Sequence, residues 1–137
     1  VLEDNHWAQT TPVDKAVSGS MSGRFSAFGI PVSECDSSDV LEIQSVAGEN
    51  IRNVRTGTGP ACLILHTYRF SAHSKGDDTR SQEELESIRK FDPLNIHGTR
   101  LTNVELKKAE SEVDKTLMDA FTRAEADPFP ILSRDRK

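Results

Sequence analysis

The chain has 137 residues, enough for one domain with its own core and too few for two comfortable ones. A hydrophobic content of 35%, an aromatic content of 6% and a mean hydropathy of -0.53 are lean for a globular protein, so part of the chain is expected to be exposed, extended or dependent on a partner. The formal charge of -5 lacks the net basic face a general nucleic-acid binder needs, and no apolar run approaches a membrane span, which predicts a soluble chain with neither kind of partner.

Val1-Leu2 reads as a strand end running into the polar loop Glu3-Asp4-Asn5-His6-Trp7, and a start inside a strand predicts a piece of something longer. Asn5 sits where side chains first become free to bind. It is either a ligand or metal contact, or an Asn that bends its own backbone in an Asx-turn. His6 and Trp7 read as packing. Pro12 closes the loop, because its ring disfavours helix at Thr11. A short helix is predicted from Ser20 to Phe28, with Met21, Phe25 and Phe28 on one face and Gly29 as its stop.

Ile30 to Cys35 alternates as a short strand does, and Asp36-Ser37-Ser38-Asp39 supplies a turn and a helix N-cap. In the helix that follows, Val40, Ile43, Ala47, Ile51 and Val54 recur at three- and four-residue steps, with an end at Gly57. Ala61-Cys62-Leu63-Ile64-Leu65 is an apolar run of strand length behind Gly57-Thr58-Gly59-Pro60. Cys35 and Cys62 thus fall on separate strands without metal-type spacing. They read as reduced, buried small hydrophobes, which fits a cytosolic or organelle-matrix interior.

The stretch from His66 to Arg80 leaves the carboxyl end of that strand and gathers histidines, arginines, hydroxyls and paired carboxylates. In open α/β sheets ligands bind at such ends. Ser81-Gln82-Glu83-Glu84 then starts a helix with Leu85 and Ile88 inward, which stops before Asp92-Pro93. From Asn103, Leu106, Ala109, Val113, Leu117, Ala120, Phe121 and Ala124 line one face of a long surface helix, stopped by Asp127-Pro128. The tail Arg134-Asp135-Arg136-Lys137 reads as a frayed end.

Several chemistries find no template. There is no Gly-rich phosphate loop, nucleophile elbow, Cys-x-x-Cys or His-Glu-x-x-His. His66 and His73 lie on a strand end and a loop, without the shared face of helical metal ligands. The candidates are therefore His73, Arg69 and the Asp77-Asp78 pair, with Asn5 on another loop. Arg and His together suit a phosphate or a proton shuttle. The alternative is a loop whose Arg69 pairs with Asp77 or Asp78 only to hold its shape.

Thr67-Tyr68-Arg69, His73-Ser74 and Asp77-Asp78 resemble the active-site loop of the alpha subunit of thiamin-diphosphate-dependent 2-oxo acid dehydrogenases, of the pyruvate, branched-chain and acetoin types. Glu3-Asp4-Asn5-His6-Trp7-Ala8, followed by Thr10-Thr11-Pro12, is similar to the segment that closes that family's thiamin diphosphate motif. Ala27-Phe28-Gly29-Ile30-Pro31, the Asp-rich turn before Val40, and Glu83-Glu84 ahead of Asp92-Pro93 fall in family order.

The resemblance implies a partial thiamin diphosphate-binding fold of α/β class over residues 1–137, a mostly parallel sheet flanked by helices with a long C-terminal helix. It implies decarboxylation of a 2-oxo acid and reductive transfer of the acyl group to a lipoyl carrier. Asn5 would give a side-chain oxygen, and Trp7 a backbone carbonyl, to the Mg2+ that bridges to the diphosphate. His73 would act catalytically beside the diphosphate, with Arg69 also at the cofactor. Asp77, Asp78 and Arg80 would brace the loop, and Ser74 holds a position phosphorylated in some mitochondrial members. The implied partners are the beta subunit in an alpha2beta2 assembly and the lipoyl domain of the acyltransferase component, in bacterial cytoplasm or mitochondrial matrix. The chain alone would be inactive.

Departures from the pattern are specific. The family's Gly-Asp-Gly, whose Asp is another magnesium ligand, occurs nowhere in these residues. His6 stands where Gly or Arg is usual, Trp7 where Tyr is, and Asp4 in place of the first of two Asn residues. A truncated, non-catalytic homologue serving as a beta-subunit interaction module is the alternative reading.

Overall fold

A computed structural model describes residues 1–74, 76 and 78–130. They form two compact units, Val1–Thr99 and Arg100–Lys137. The first carries a three-stranded parallel sheet in the order β1 (Leu2–Asp4), β5 (Cys62–His66), β4 (Val32–Cys35), with helices packed against it. The second carries one long helix, α6 (Asn103–Ala126). The α/β class, the parallel sheet and the long helix are those the resemblance implies.

The centre of the sheet is the apolar run. Cys62, Leu63 and Ile64 on β5, with Cys35 on β4, are buried, and Ile64 is only 1% exposed. A parallel strand covered on both faces needs that unbroken apolar sequence. Both cysteines are free, and burial pushes the Cys35 thiol upward, so it stays protonated as a small packing group.

The helix α3 (Val40–Arg55) covers one face. Asp39 caps it by accepting from the Leu41 N–H at 3.0 Å, and the hydroxyl of Ser33 on β4 donates to Asn50 on α3 at 3.1 Å. Its predicted stripe is half-buried at Ile43 and Ala47 but opens at the ends, where Val40, Ile51 and Val54 are exposed. Gly57, with φ of 87°, takes the left-handed conformation that stops the helix, and its N–H donates to Val54.

Packed against β4, α2 (Met21–Ser26) is capped by Ser20, which accepts from the Gly23 N–H at 3.0 Å. It is shorter than predicted. The chain turns at Gly29, φ 70°, and leaves Phe28 outside the helix and 84% exposed, so Phe28 does not share the face of Met21 and Phe25. Three elements were absent from the sequence reading. They are the hairpin of β2 (Trp7–Ala8) and β3 (Thr11–Pro12), the single turn α1 (Val13–Ala16), and α5 (Pro93–Gly98), which follows α4 (Gln82–Arg89). Leu85 and Ile88 are the two less exposed residues of α4, as predicted.

In α6, Thr102 and Glu105 form a reciprocal capping box. Along its predicted apolar face, Val113, Leu117 and Phe121 are 56%, 52% and 65% exposed. No helix among the described residues is long and apolar enough to cross a membrane. The tail Arg134 to Lys137 and Asp77 lie outside the described residues.

Candidate functional site

Because β1 and β5 are parallel neighbours, with Asp4 in register with His66, their carboxyl ends open side by side. One further bond, Thr67 N–H to the Asp4 carbonyl at 2.8 Å, extends the pairing before the chains part. Two side chains then bend β1 into the hairpin. The Asp4 carboxylate accepts from the His6 N–H at 2.9 Å, and Asn5 Oδ1 accepts from the Trp7 N–H at 3.0 Å. His6 adopts a φ of 66°, a left-handed conformation uncommon outside glycine that these two bonds hold in place. Asn5 is therefore the turn-forming Asn considered from sequence, and its amide oxygen keeps a second lone pair.

Trp7 faces Pro12 across the hairpin, one residue beyond the bond from Val13 N–H to the His6 carbonyl. Antiparallel ladders alternate bonded and non-bonded pairs, so this position directs the Trp7 carbonyl away from β3. The hairpin does not consume that oxygen.

Opposite lies the loop after β5. Arg80 grips Asp78 bidentately, Nε to Oδ1 at 2.8 Å and Nη2 to Oδ2 at 2.7 Å, and also donates to the carbonyls of Arg69 and Ser71. Its side chain is 3% exposed, a burial a guanidinium sustains only when its donors are occupied. The pairing holds the Asp78 carboxyl down to about 2 and raises Arg80 further. Arg80 also lies 5.8 Å from the centre of the Trp7 ring, joining the loop to the hairpin. The pairing of Arg69 with Asp78 considered from sequence is replaced by this one. Arg69 instead donates from Nη1 to the Gln9 carbonyl at 2.9 Å, while its buried Nε has no partner among the described residues.

Asn5, His6, Trp7, Tyr68, Arg69 and Arg80, with Glu84 and Ile88 of α4, enclose a cavity of 140 Å³. Tyr68 stacks on Phe91 at 4.5 Å, fixing the wall of the cavity to the segment after α4. Such a space is large enough for a phosphate-sized group. An unpartnered buried guanidinium N–H, a free amide lone pair and an outward carbonyl suit phosphate oxygens and a hard cation. No three His, Cys, Asp or Glu side chains among the described residues converge as metal ligands. A magnesium ion here would hold Asn5 and Trp7 oxygens and draw the rest of its shell from phosphate, water and other residues.

Of the residues predicted from sequence, Asn5, Trp7, Arg69 and Arg80 meet at this cavity, with Asp78 attached through Arg80. His73 and Ser74 are exposed further along the loop and do not line it. Sequence reading gave Gln9 no role. Its left-handed φ of 58° and its carbonyl's bond to Arg69 follow from a hairpin that carries no glycine to announce it.

Residues 1–133 match the family described as the dehydrogenase E1 component. The chain belongs to that family. It is 34% identical over 143 residues to the pyruvate dehydrogenase E1 component subunit alpha of Rhizobium meliloti, 32% over 139 to that of Zymomonas mobilis, and 32% over 142 to the human mitochondrial somatic form. These alignments cover 97%, 95% and 96% of this chain and 41%, 39% and 36% of the relatives, so the chain spans about two-fifths of their length.

Proposed function

We propose that the chain is part of the alpha subunit of a 2-oxo acid dehydrogenase first component, with pyruvate as the substrate its relatives' names favour. All 137 residues would belong to one partial thiamin diphosphate-binding domain, completed by other chain and by a beta subunit. The observation that carries the reading is the cavity at the joined ends of β1 and β5, where Asn5, Trp7, Arg69 and Arg80 meet. Thiamin diphosphate, when bound, supplies the decarboxylation chemistry, and the protein supplies position and electrostatics. The acyl group then passes to a lipoyl carrier.

The roles of this chain's residues follow from their partners. Arg80 is committed to Asp78 and two carbonyls, so it shapes the loop. Arg69 has a buried donor to spare, so it is the group offered to a diphosphate oxygen. The two guanidinium charges are offset by the carboxylates of Asp78 and Glu84, which leaves the cavity without the surplus charge a diphosphate needs. Binding would therefore depend on a divalent cation, held by the Asn5 oxygen and the Trp7 carbonyl. His73, exposed on the same loop, would act where a lipoyl domain arrives, and Ser74, exposed beside it, would be the residue a kinase modifies. The exposed apolar face of α6 supports a chain that assembles with partners, as surfaces of that kind do.

The test is reconstitution of the polypeptide, at its full encoded length, with a beta-type subunit. Pyruvate-dependent reduction of an artificial electron acceptor is the readout. The reading predicts turnover that requires thiamin diphosphate and magnesium, with Arg69→Ala weakening the coenzyme about tenfold or more, as loss of a charged hydrogen bond does. A second reading, a non-catalytic partner of the beta subunit, holds if the full encoded polypeptide also lacks the Gly-Asp-Gly that these residues do not contain. It predicts a stable complex that neither binds the coenzyme nor turns over.

A further inference from the structure

A second polar network lies just behind the candidate site and uses all three strands. With side chains alternating along a strand, the register places Asp4, Glu34 and His66 on one face of the sheet. His66 stands between the two acids. Its Nε2 is 3.2 Å from Glu34 Oε2 and its Nδ1 is 3.5 Å from Asp4 Oδ2. The chain of contacts continues at both ends. The Ser22 hydroxyl on α2 and then His66 lower the Glu34 carboxyl below its usual range. The other oxygen of Asp4 holds the His6 N–H, and the His6 ring lies parallel to the His66 ring, 6.0 Å between centres.

We propose that His66 is a positioning residue that sets the turn from Asp4 to Trp7. Asp4 has two tasks, one oxygen bending the chain at His6 and the other facing His66. An aspartate at a strand end is otherwise free to rotate, and His66 fixes it from the neighbouring strand. Glu34, on β4, fixes the ring from the far side. The turn carrying Asn5 and Trp7 is thereby referenced to β5 and β4 instead of resting on local bonds alone. Residues that orient ligands in this way alter affinity without touching the ligand. The consequence for coenzyme binding rests on the function proposed above, whereas the structural part does not.

Trp7 is the only tryptophan in these residues and sits at the end of the turn, which makes it the reporter. The polypeptide, at full encoded length and with its beta partner, is labelled with 5-fluorotryptophan, and the Trp7 resonance is assigned by its loss in Trp7→Phe. His66→Leu is expected to shift and broaden that resonance and to weaken magnesium-dependent thiamin diphosphate binding about 10- to 100-fold, with His66→Gln, which keeps a donor of similar reach, restoring part of both. Glu34→Gln, at a side chain 47% exposed, is the variant least able to disturb folding and should move the Trp7 resonance in the same direction. An unmoved resonance in His66→Leu and Glu34→Gln overturns the proposal, as does a moved resonance with unchanged affinity. If the parent protein binds no thiamin diphosphate but the resonance moves, the positioning role stands and the coenzyme reading falls.

Discussion

The pairing of Asp78 with Arg80 shows how two residues convert a polar loop into a wall of the cavity. Arg80 is nearly fully covered, so its charge depends on the carboxylate two residues away. The Asp78 carboxyl ionises at about 2 in the folded chain, below its ordinary 3.8, so the carboxylate form favours folding. That contribution is complete above about pH 4, and fades as the pH falls from there towards 2. Asp78→Asn is therefore expected to lower stability by the same amount from neutral pH down to about pH 4, with the difference from the parent shrinking below that. Urea titrations across that range measure it, and a difference that persists undiminished at the acid end contradicts the pairing. The sequence places two arginines and two aspartates in this loop but does not say which pair. Arg80 takes Asp78, while Arg69 donates to the carbonyl of Gln9, 60 residues away along the chain, a partner that sequence spacing does not announce. His66 was read as one more polar residue for a similar reason. Its role needs the register of three strands, and register is a tertiary fact.

At the scale of elements, the legible parts were those whose signals are local. Ser20, Asp39 and Ser81 begin helices where a hydroxyl or carboxylate precedes an apolar pattern, and each side chain caps the helix in the structure. The apolar run of β5 and the length of α6 were equally plain. Asp92-Pro93 was read only as a stop, although Asp at the N-cap and Pro at the first helical position also start α5. The hairpin of β2 and β3 was missed because its left-handed residues are His6 and Gln9, held there by side chains and not announced by glycine. The start of α6 gives an element-level prediction. Thr102 accepts from the Glu105 N–H, and Glu105 returns a bond of 2.8 Å to the Thr102 N–H, which lowers its carboxyl below the usual range. Thr102→Ala is expected to cost about 1 kcal/mol and to speed amide exchange in the first turn of α6 with little change at its centre. Equal exchange along the whole helix in both forms would show that the cap contributes nothing.

For the molecule as a whole, few side chains among the described residues are fully covered, and large apolar side chains stand open on α3 and α6. The lean composition anticipated this, and it agrees with a chain that spans about two-fifths of its relatives' length. The fold class followed from the order of strand and helix signals together with the resemblance. The site was legible as the ends of two strands, but not as a cavity whose arginine charge is offset by Asp78 and Glu84. That charge balance underlies the proposal that the cavity takes a diphosphate through a divalent cation held by Asn5. The deciding measurement is calorimetric titration of thiamin diphosphate into the full-length polypeptide with the proposed beta partner, with and without magnesium, using Asn5→Ala beside the parent. Binding is expected only with magnesium, weakened about tenfold or more in Asn5→Ala. Equal binding without magnesium, or in Asn5→Ala, would contradict it.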